Sequence, residues 1–337
     1  MKYFANLRMI ACILALIGGW LIYPYSVVAA GVLCIIAILC FPYALLPHAM
    51  VVKVLLIAAI TGVTYYLESY PKHLGEDQAV ITFLDVGQGD CSIIELPDGT
   101  VILIDGGTMD YGETVCAWLA EHHINQIDLM IGSHPHADHI GGLSEVVNRV
   151  KVSTYIEPET GTFEIPDTYS ITLLKRRLSE HAIPVIRAVQ GDVLAKGEDW
   201  SLTVLSPGKE ALFDDLNDYS LILKLQYGSV SALFTGDAGY TAELEILEEN
   251  LKSDILKVGH HGSFGSTCTA FLDSVRPSYA VISVGKDNEH HLPNSYILER
   301  LDTYGVNVYR TDESGTITMR TDGQHIEVSR LEDNLAN

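Results

Sequence analysis

The chain has 337 residues, 48% of them apolar, and carries 43 acidic against 21 basic side chains. At roughly 100 to 200 residues per domain, that length allows two units, or one large unit with an appendage. The charge is uneven: residues 1–72 hold only Lys2, Arg8, Lys53, Glu68 and Lys72, which leaves 17 basic against 42 acidic groups in residues 73–337. The first segment excludes a simple soluble protein, and the second excludes a broad basic nucleic-acid footprint while suiting metal cations as partners.

Residues 9–22 and 25–44 are apolar and free of charge, and residues 49–66 contain only Lys53. Each run approaches the ~20 residues that span a hydrocarbon core. Tyr23-Pro24-Tyr25 and Phe41-Pro42-Tyr43 mark the breaks, a helix-ending proline beside aromatics that favour the membrane interface. These features predict three spans. A signal peptide ending near Ala29-Ala30 is the alternative, and two further apolar runs argue against it. Lys2, Arg8 and Lys53 fall on one side, which the positive-inside rule makes the cytoplasm. The remainder of the chain is then extracytoplasmic, on a multi-pass protein of the cell membrane whose first partner is the lipid bilayer.

Past the linker Tyr70-Pro71-Lys72-His73-Leu74-Gly75 the pattern changes to short strands at residues 79–84, 91–96 and 101–104, a helix at 114–122 and a strand at 129–131. Pro97-Asp98-Gly99 punctuates a hairpin between the second and third strands. Strands follow at 202–205, 221–225, 231–234, 255–258 and 279–284, alternating with helices at 240–249 and 269–274. Hairpins followed by strand-helix-strand units predict an α/β mixed sheet covered by helices. Cys12, Cys34 and Cys40 lie in the apolar segment, and Cys91, Cys116 and Cys268 are scattered without CxxC spacing, so they read as core thiols.

The chemistry gathers where strands end. After Leu129-Met130-Ile131-Gly132-Ser133 comes His134-Pro135-His136-Ala137-Asp138-His139. Four ligand-type side chains within six residues converge on one small volume and suit two adjacent divalent cations.

That string is the signature of the metallo-β-lactamase superfamily. Further segments resemble the hydrolase domain of the ComEC family of competence proteins: Phe83-Leu84-Asp85-Val86-Gly87-Gln88-Gly89-Asp90, Ile104-Asp105-Gly106-Gly107, Phe234-Thr235-Gly236-Asp237, Lys257-Val258-Gly259-His260-His261-Gly262-Ser263 and Val281-Ile282-Ser283-Val284-Gly285-Lys286. The resemblance runs in order from about residue 79 to 317. It implies a metallo-β-lactamase-like αββα sandwich over residues 73–337, behind a short transmembrane helical region at 1–72. Family members resemble a polytopic channel ahead of this domain, which three spans do not reproduce.

The resemblance implies that His134 and His136 bind one metal, that Asp138 and His139 bind the second, and that Asp237 bridges them. It makes His260 the last metal histidine, with His261 as an alternative ligand or a substrate contact. The superfamily's histidine ahead of the bridging aspartate has no counterpart, because Asn217-Asp218-Tyr219-Ser220 stands there. Oxygen donors or water would complete the first site, which would bind metal more weakly and admit manganese beside zinc. His291 reads as a phosphate contact or general acid, or as a solvated loop histidine. Asp85, Gln88, Asp90 and Asp105 read as turn-forming groups, or as groups, the carboxylates above all, that orient the metal-bound histidines. The expected activity is hydrolysis by two metal ions sharing a hydroxide that Asp138 aligns, with a phosphodiester, including single-stranded DNA, as substrate. Hydrolysis of another ester or amide (a lactone, a choline phosphoester, a β-lactam) and a non-catalytic binding module are the alternatives.

Overall fold

The computed structural model of the chain describes residues 78–330. The chain divides into two units between Lys72 and His73. The three expected spans, the linker and the signal-peptide alternative lie outside the described residues, and among the described residues no helix is long and apolar enough to cross a membrane.

Chain order explains the layers. Strands β1 (Ala79–Phe83), β2 (Ser92–Glu95) and β3 (Val101–Ile104) form an antiparallel meander, with the hairpin at Pro97-Asp98-Gly99 where the turn residues place it. Helix α1 (Gly112–Glu121) then leads to β4 (Gln126–Ile131), helices α2 (Ala137–Ile140) and α3 (Leu143–Arg149) to β5 (Lys151–Pro158), and α4 (Tyr169–Glu180) to β6 (Val185–Ala188). These last connections keep β3 to β6 parallel.

A second sheet follows: β7 (Val193–Lys196), β8 (Trp200–Ser206), β9 (Ile222–Tyr227) and β10 (Val230–Phe234), antiparallel. Helix α5 (Tyr240–Glu245), β11 (Ile255–Lys257), α6 (Thr269–Val275), β12 (Tyr279–Ile282), α7 (Ser295–Thr303) and β13 (Asn307–Arg310) extend it in parallel. After the turn α8 (Thr311–Ser314), β14 (Ile317–Thr321) and β15 (Ile326–Arg330) rejoin the first sheet, whose order is β15-β14-β1-β2-β3-β4-β5-β6.

Two sheets thus stand where strand periodicity alone predicted one mixed sheet. The reason lies in single residues. Ile94 and Ile102 point into the core between the sheets, while their neighbours Ile93 and Leu103 point outward beneath the first sheet's helices. In the second sheet Ala232 and Phe234 face inward and Leu233 faces outward. Each central strand is covered on both faces and so reads as a continuous apolar run without alternation. Phe83 and Phe234 stack across the inner core with ring centroids 6.1 Å apart. Cys91 and Cys116 are buried free thiols, as expected, and Cys268 is free and half-buried.

The parallel strands of both sheets carry the site on the loops at their carboxyl ends: Asp105 after β3, residues 133–139 after β4, Asp237 after β10 and His260-His261 after β11. Main-chain hydrogen bonds stitch these loops together. Gly106 N donates to His139 O (2.7 Å), Asp90 N to Asp138 O (3.2 Å) and, across the two sheets, Leu221 N to Ser133 O (2.9 Å). The approach leaves no room for side chains, since a Cβ on Gly142 would lie 2.1 Å from Gly106 O.

Candidate metal centre

The half supplied by the first sheet starts from Asp105, held in a left-handed conformation (φ 61°). Its Oδ1 accepts the amide of Ser133 and its Oδ2 accepts the Ser133 hydroxyl, both at 2.7 Å. Oδ2 also lies 2.9 Å from His139 Nδ1. Holding Nδ1 fixes the ring and turns Nε2 toward Asp237 Oδ1, 3.2 Å away. His134 is oriented through its Nδ1, 3.2 Å from the Ser133 hydroxyl, and its Nε2 meets His136 Nδ1 at 2.9 Å. Asp138 precedes His139 on the single turn α2, with a third of its side chain exposed.

The second sheet supplies the rest. Gly236 (φ 50°) packs against Ser133 and Ser220, and the next amide, Asp237 N, donates to Ser220 Oγ at 3.0 Å. His260 and His261 both adopt left-handed backbone angles (φ 49° and 52°). Such residues cost on the order of 1–3 kcal/mol each and gather at functional sites. The double twist sends the neighbouring rings to different places. His261 Nδ1 is 2.9 Å from Ser283 O, and its Nε2 lies 3.3 Å from Asp138 Oδ2 and 3.7 Å from Asp237 Oδ1. His260 Nε2 instead lies 3.8 Å from the other oxygen, Asp237 Oδ2, which His134 Nε2 also approaches at 4.0 Å.

Asp138, His139, Asp237 and His261 each offer one ligand atom, all within 4.8 Å of one another. Asp237 Oδ1, His139 Nε2 and His261 Nε2 are buried without a hydrogen-bond partner. Leaving such atoms unsatisfied is costly, and lone pairs converging on one point suit a divalent cation. The electrostatics agree. Burial works against charge on every member, yet the carboxylates facing the imidazoles offset it, and the same acidic surroundings that favour a proton on His139 favour a divalent cation in its place. The His139 pKa stands well above the ordinary value and that of Asp237 well below it. For His261, Asp237 and Asp90 outweigh burial and push it up to about 10. Burial and the neighbouring His139 hold His134 well below the usual imidazole value. Asp138, His139, His261 and Asp237 Oδ1 fit a divalent metal, while His134 and His260 face the other oxygen, Asp237 Oδ2, with His136 against His134.

Several expectations change. His261, rather than His260, stands with Asp138 and His139, because two consecutive left-handed residues reverse which ring faces inward. The Asn217–Ser220 stretch supports the neighbouring loop, and His260 faces Asp237 Oδ2. There Asp218 Oδ1 accepts the amide of Gly239 at 2.8 Å, and Ser220 supports Asp237. His291 is exposed in a left-handed bend with its amide on Asn288 O, and among the described residues no hydrogen bond joins its ring to the centre. Asp85 forms a turn by accepting the amide of Gly87 (3.1 Å), and Gln88 Oε1 accepts Gly285 N.

Asp90 does reach the site, in partnership with Lys257. Lys257 is 2% exposed and its Nζ lies 2.6 Å from Asp90 Oδ2, while Asp90 Oδ1 is 3.3 Å from His261 Nδ1. Burial pushes the Asp90 pKa up, and Lys257 and His261 bring it below the usual carboxylate value. The available signal was a lysine inside the apolar strand Ile255–Lys257, which a buried strand tolerates only with a partner.

Residues 84–286 match the metallo-beta-lactamase superfamily. The chain belongs to that superfamily. Among curated relatives it is 32% identical to ComE operon protein 3 of Bacillus subtilis (strain 168), over 77% of this chain and 35% of that protein. It is 28% identical to Competence protein ComA of Neisseria gonorrhoeae, over 91% of this chain and 41% of the relative. It is also 28% identical to Recombination protein 2 of Haemophilus influenzae, over 77% of this chain and 31% of the relative. The chain therefore spans about a third to two fifths of these relatives. The ComA match covers too much of the chain to omit residues 1–72, so the likeness extends past the metallo-beta-lactamase domain into the apolar segment.

Proposed function

We propose that this chain is a membrane-anchored, metal-dependent hydrolase of phosphodiesters, with its hydrolase domain outside the cytoplasm. The observation that carries the reading is the carboxylate of Asp237, whose two oxygens face two separate groups of histidines across a buried, partnerless space. Asp237 and the histidines around it would hold a pair of divalent cations, zinc or manganese, which when bound would lower the pKa of a water and offset negative charge developing on the substrate. The protein's own groups do the rest. Asp105 fixes His139, and Ser133 Oγ stands beside the rings of both His134 and His139. Asp138, partly exposed beside His261, is placed to orient the attacking water. His260, with about a third of its side chain exposed, stands at the open face where a phosphate would enter.

Elemental analysis of the purified chain should find two transition-metal equivalents. A panel of chromogenic phosphodiesters and single-stranded DNA, compared with a lactone and a β-lactam, should show turnover of the phosphodiesters. Absence of metal, with no gain on reconstitution, would leave a binding module. Labelling of a cysteine placed at Glu76 from outside intact cells tests the topology, and protection of that site would put the domain in the cytoplasm.

A second reading, hydrolysis of a small phosphoester, is favoured by how the basic residues are used. Lys257 is buried against Asp90, and Arg310 is paired with Asp312 and Glu313. Arg276 donates to Asp273 O, and Lys286 is exposed on the loop beside Gln88. Lys257 and Arg310 are thus engaged by carboxylates, and a long polyanion meets a shortage of basic groups, 17 against 42 acidic ones in residues 73–337, with Arg276, Lys286 and Lys175, which lines a cavity with His134, among those exposed.

A further inference from the structure

That shortage raises the question of what holds a strand while its phosphate is cut. Uncharged contact is the alternative to ion pairing, and an aromatic pair stands within reach of the centre. Phe264 follows His261 by three residues, so their Cα atoms are no more than about 11 Å apart. Its side chain is 63% exposed, and its ring meets that of Tyr296, 62% exposed, with centroids 5.8 Å apart and planes at 70°.

The loop carrying Phe264 is anchored by buried hydrogen bonds despite the exposure of its ring. The buried carboxylate of Glu243 accepts the amides of Thr267 and of Cys268, and Arg300 Nη1 donates to Thr267 O at 2.6 Å. Ser266 Oγ closes the loop on Gly259 O at 2.7 Å. The loop before Tyr296 is joined to the same segment, with Asn294 N donating to Gly262 O at 2.9 Å and Pro293 packed against Gly262. The backbones that carry both rings are thus tied to the segment that carries His260 and His261.

We propose that Phe264 and Tyr296 form a stacking platform for a nucleobase of the strand whose phosphate the centre hydrolyses. This rests on the phosphodiesterase reading and narrows it to single-stranded, base-bearing substrates. A base needs one open ring face, and stacking tolerates every sequence because every base has a π-face. A quaternary ammonium gains most when aromatic rings desolvate it, which two rings this open do not do. Binding through bases rather than phosphates also gives a shallow dependence on salt.

The test uses the metal-loaded full chain with oligothymidylate and an equal-length abasic strand. Phe264→Ala and Tyr296→Ala should each raise KM for oligothymidylate roughly 5- to 100-fold with kcat little changed. They should leave the abasic strand unaffected, and Phe264→Trp should restore the wild-type KM. A 2-aminopurine placed in the strand should be quenched on binding wild type and less so on binding the alanine variants. Equal effects on both strands, or none on either, overturn the platform while leaving phosphodiester hydrolysis standing. Aromatic-dependent turnover of a choline phosphodiester, with no change for oligothymidylate, also overturns it. No cleavage of either strand removes the platform together with the reading beneath it.

Discussion

The two sheets hold their halves of the site in different ways. In the first-sheet half the ligands lie in one short string, and their rings are aimed by side chains: Asp105 on His139 and Ser133 on His134. In the second-sheet half they come from two loops and are aimed by the backbone, through Gly236 at φ 50° and the left-handed pair His260-His261. A string of ligands on one turn survives loss of a supporting side chain with its order intact. A ligand aimed by its own backbone has no such reserve, and neighbours in sequence end on opposite oxygens of Asp237.

The largest effect should come where the halves meet. Asp237→Ala should lose both metals, read by elemental analysis, and reduce phosphodiester hydrolysis to background. Retention of one full equivalent would mean that the halves bind metal independently.

The adjacent histidines sharpen the contrast. His261→Ala should lose the metal shared with Asp138 and His139, and His260→Ala the one shared with His134 and His136. Each variant should keep about one equivalent. If only His261→Ala lowers the metal content, His260 is a substrate contact and the first centre lacks a third histidine.

The buried pair that ties the halves together is tested through stability. Lys257→Met leaves Asp90 charged without its partner and should cost about 3–5 kcal/mol in denaturant unfolding. Adding Asp90→Asn should recover part of that loss, because no lone buried charge remains. A double variant less stable than the single one would show that Asp90 acts chiefly through His261.

Smaller effects separate orientation from turn formation. Asp105→Asn should lower metal affinity about 10- to 100-fold, measured by competition with a chelating dye. Asp85→Ala should leave metal affinity unchanged and cost only about 0.5–1.5 kcal/mol of stability. Equal metal loss from both would mean that Asp85 acts on the centre as well.

The contrast between the halves also marks what the sequence reveals. The residues from His134 to His139 are legible because strand end, loop and ligands are contiguous, and Val101–Ile104 falls where its apolar run predicts. The choice between His260 and His261 is not legible, since it depends on two φ values that no residue pattern announces. Asp90 and Lys257 lie far apart in sequence, and only the closing of the two sheets brings them together. The later strands at residues 317–321 and 326–330 alternate apolar and polar residues, but runs of five residues, like the four at 307–310, are too short for the pattern to stand out.

The return of β14 to the first sheet bears on how the protein is made. Thr82 and Thr318, cross-strand neighbours on β1 and β14, face each other at 3.3 Å across 236 residues of chain. On a ribosome adding about 5–20 residues each second, β1 waits on the order of 10–50 s before its second neighbour exists. During that interval the hydrogen-bonding edge of a strand that is fully buried in the finished fold stands open to any other extended segment nearby. A holdase acting on the nascent chain would have its most valuable target there, in a segment of the mature fold that shows no outward trace of the exposure.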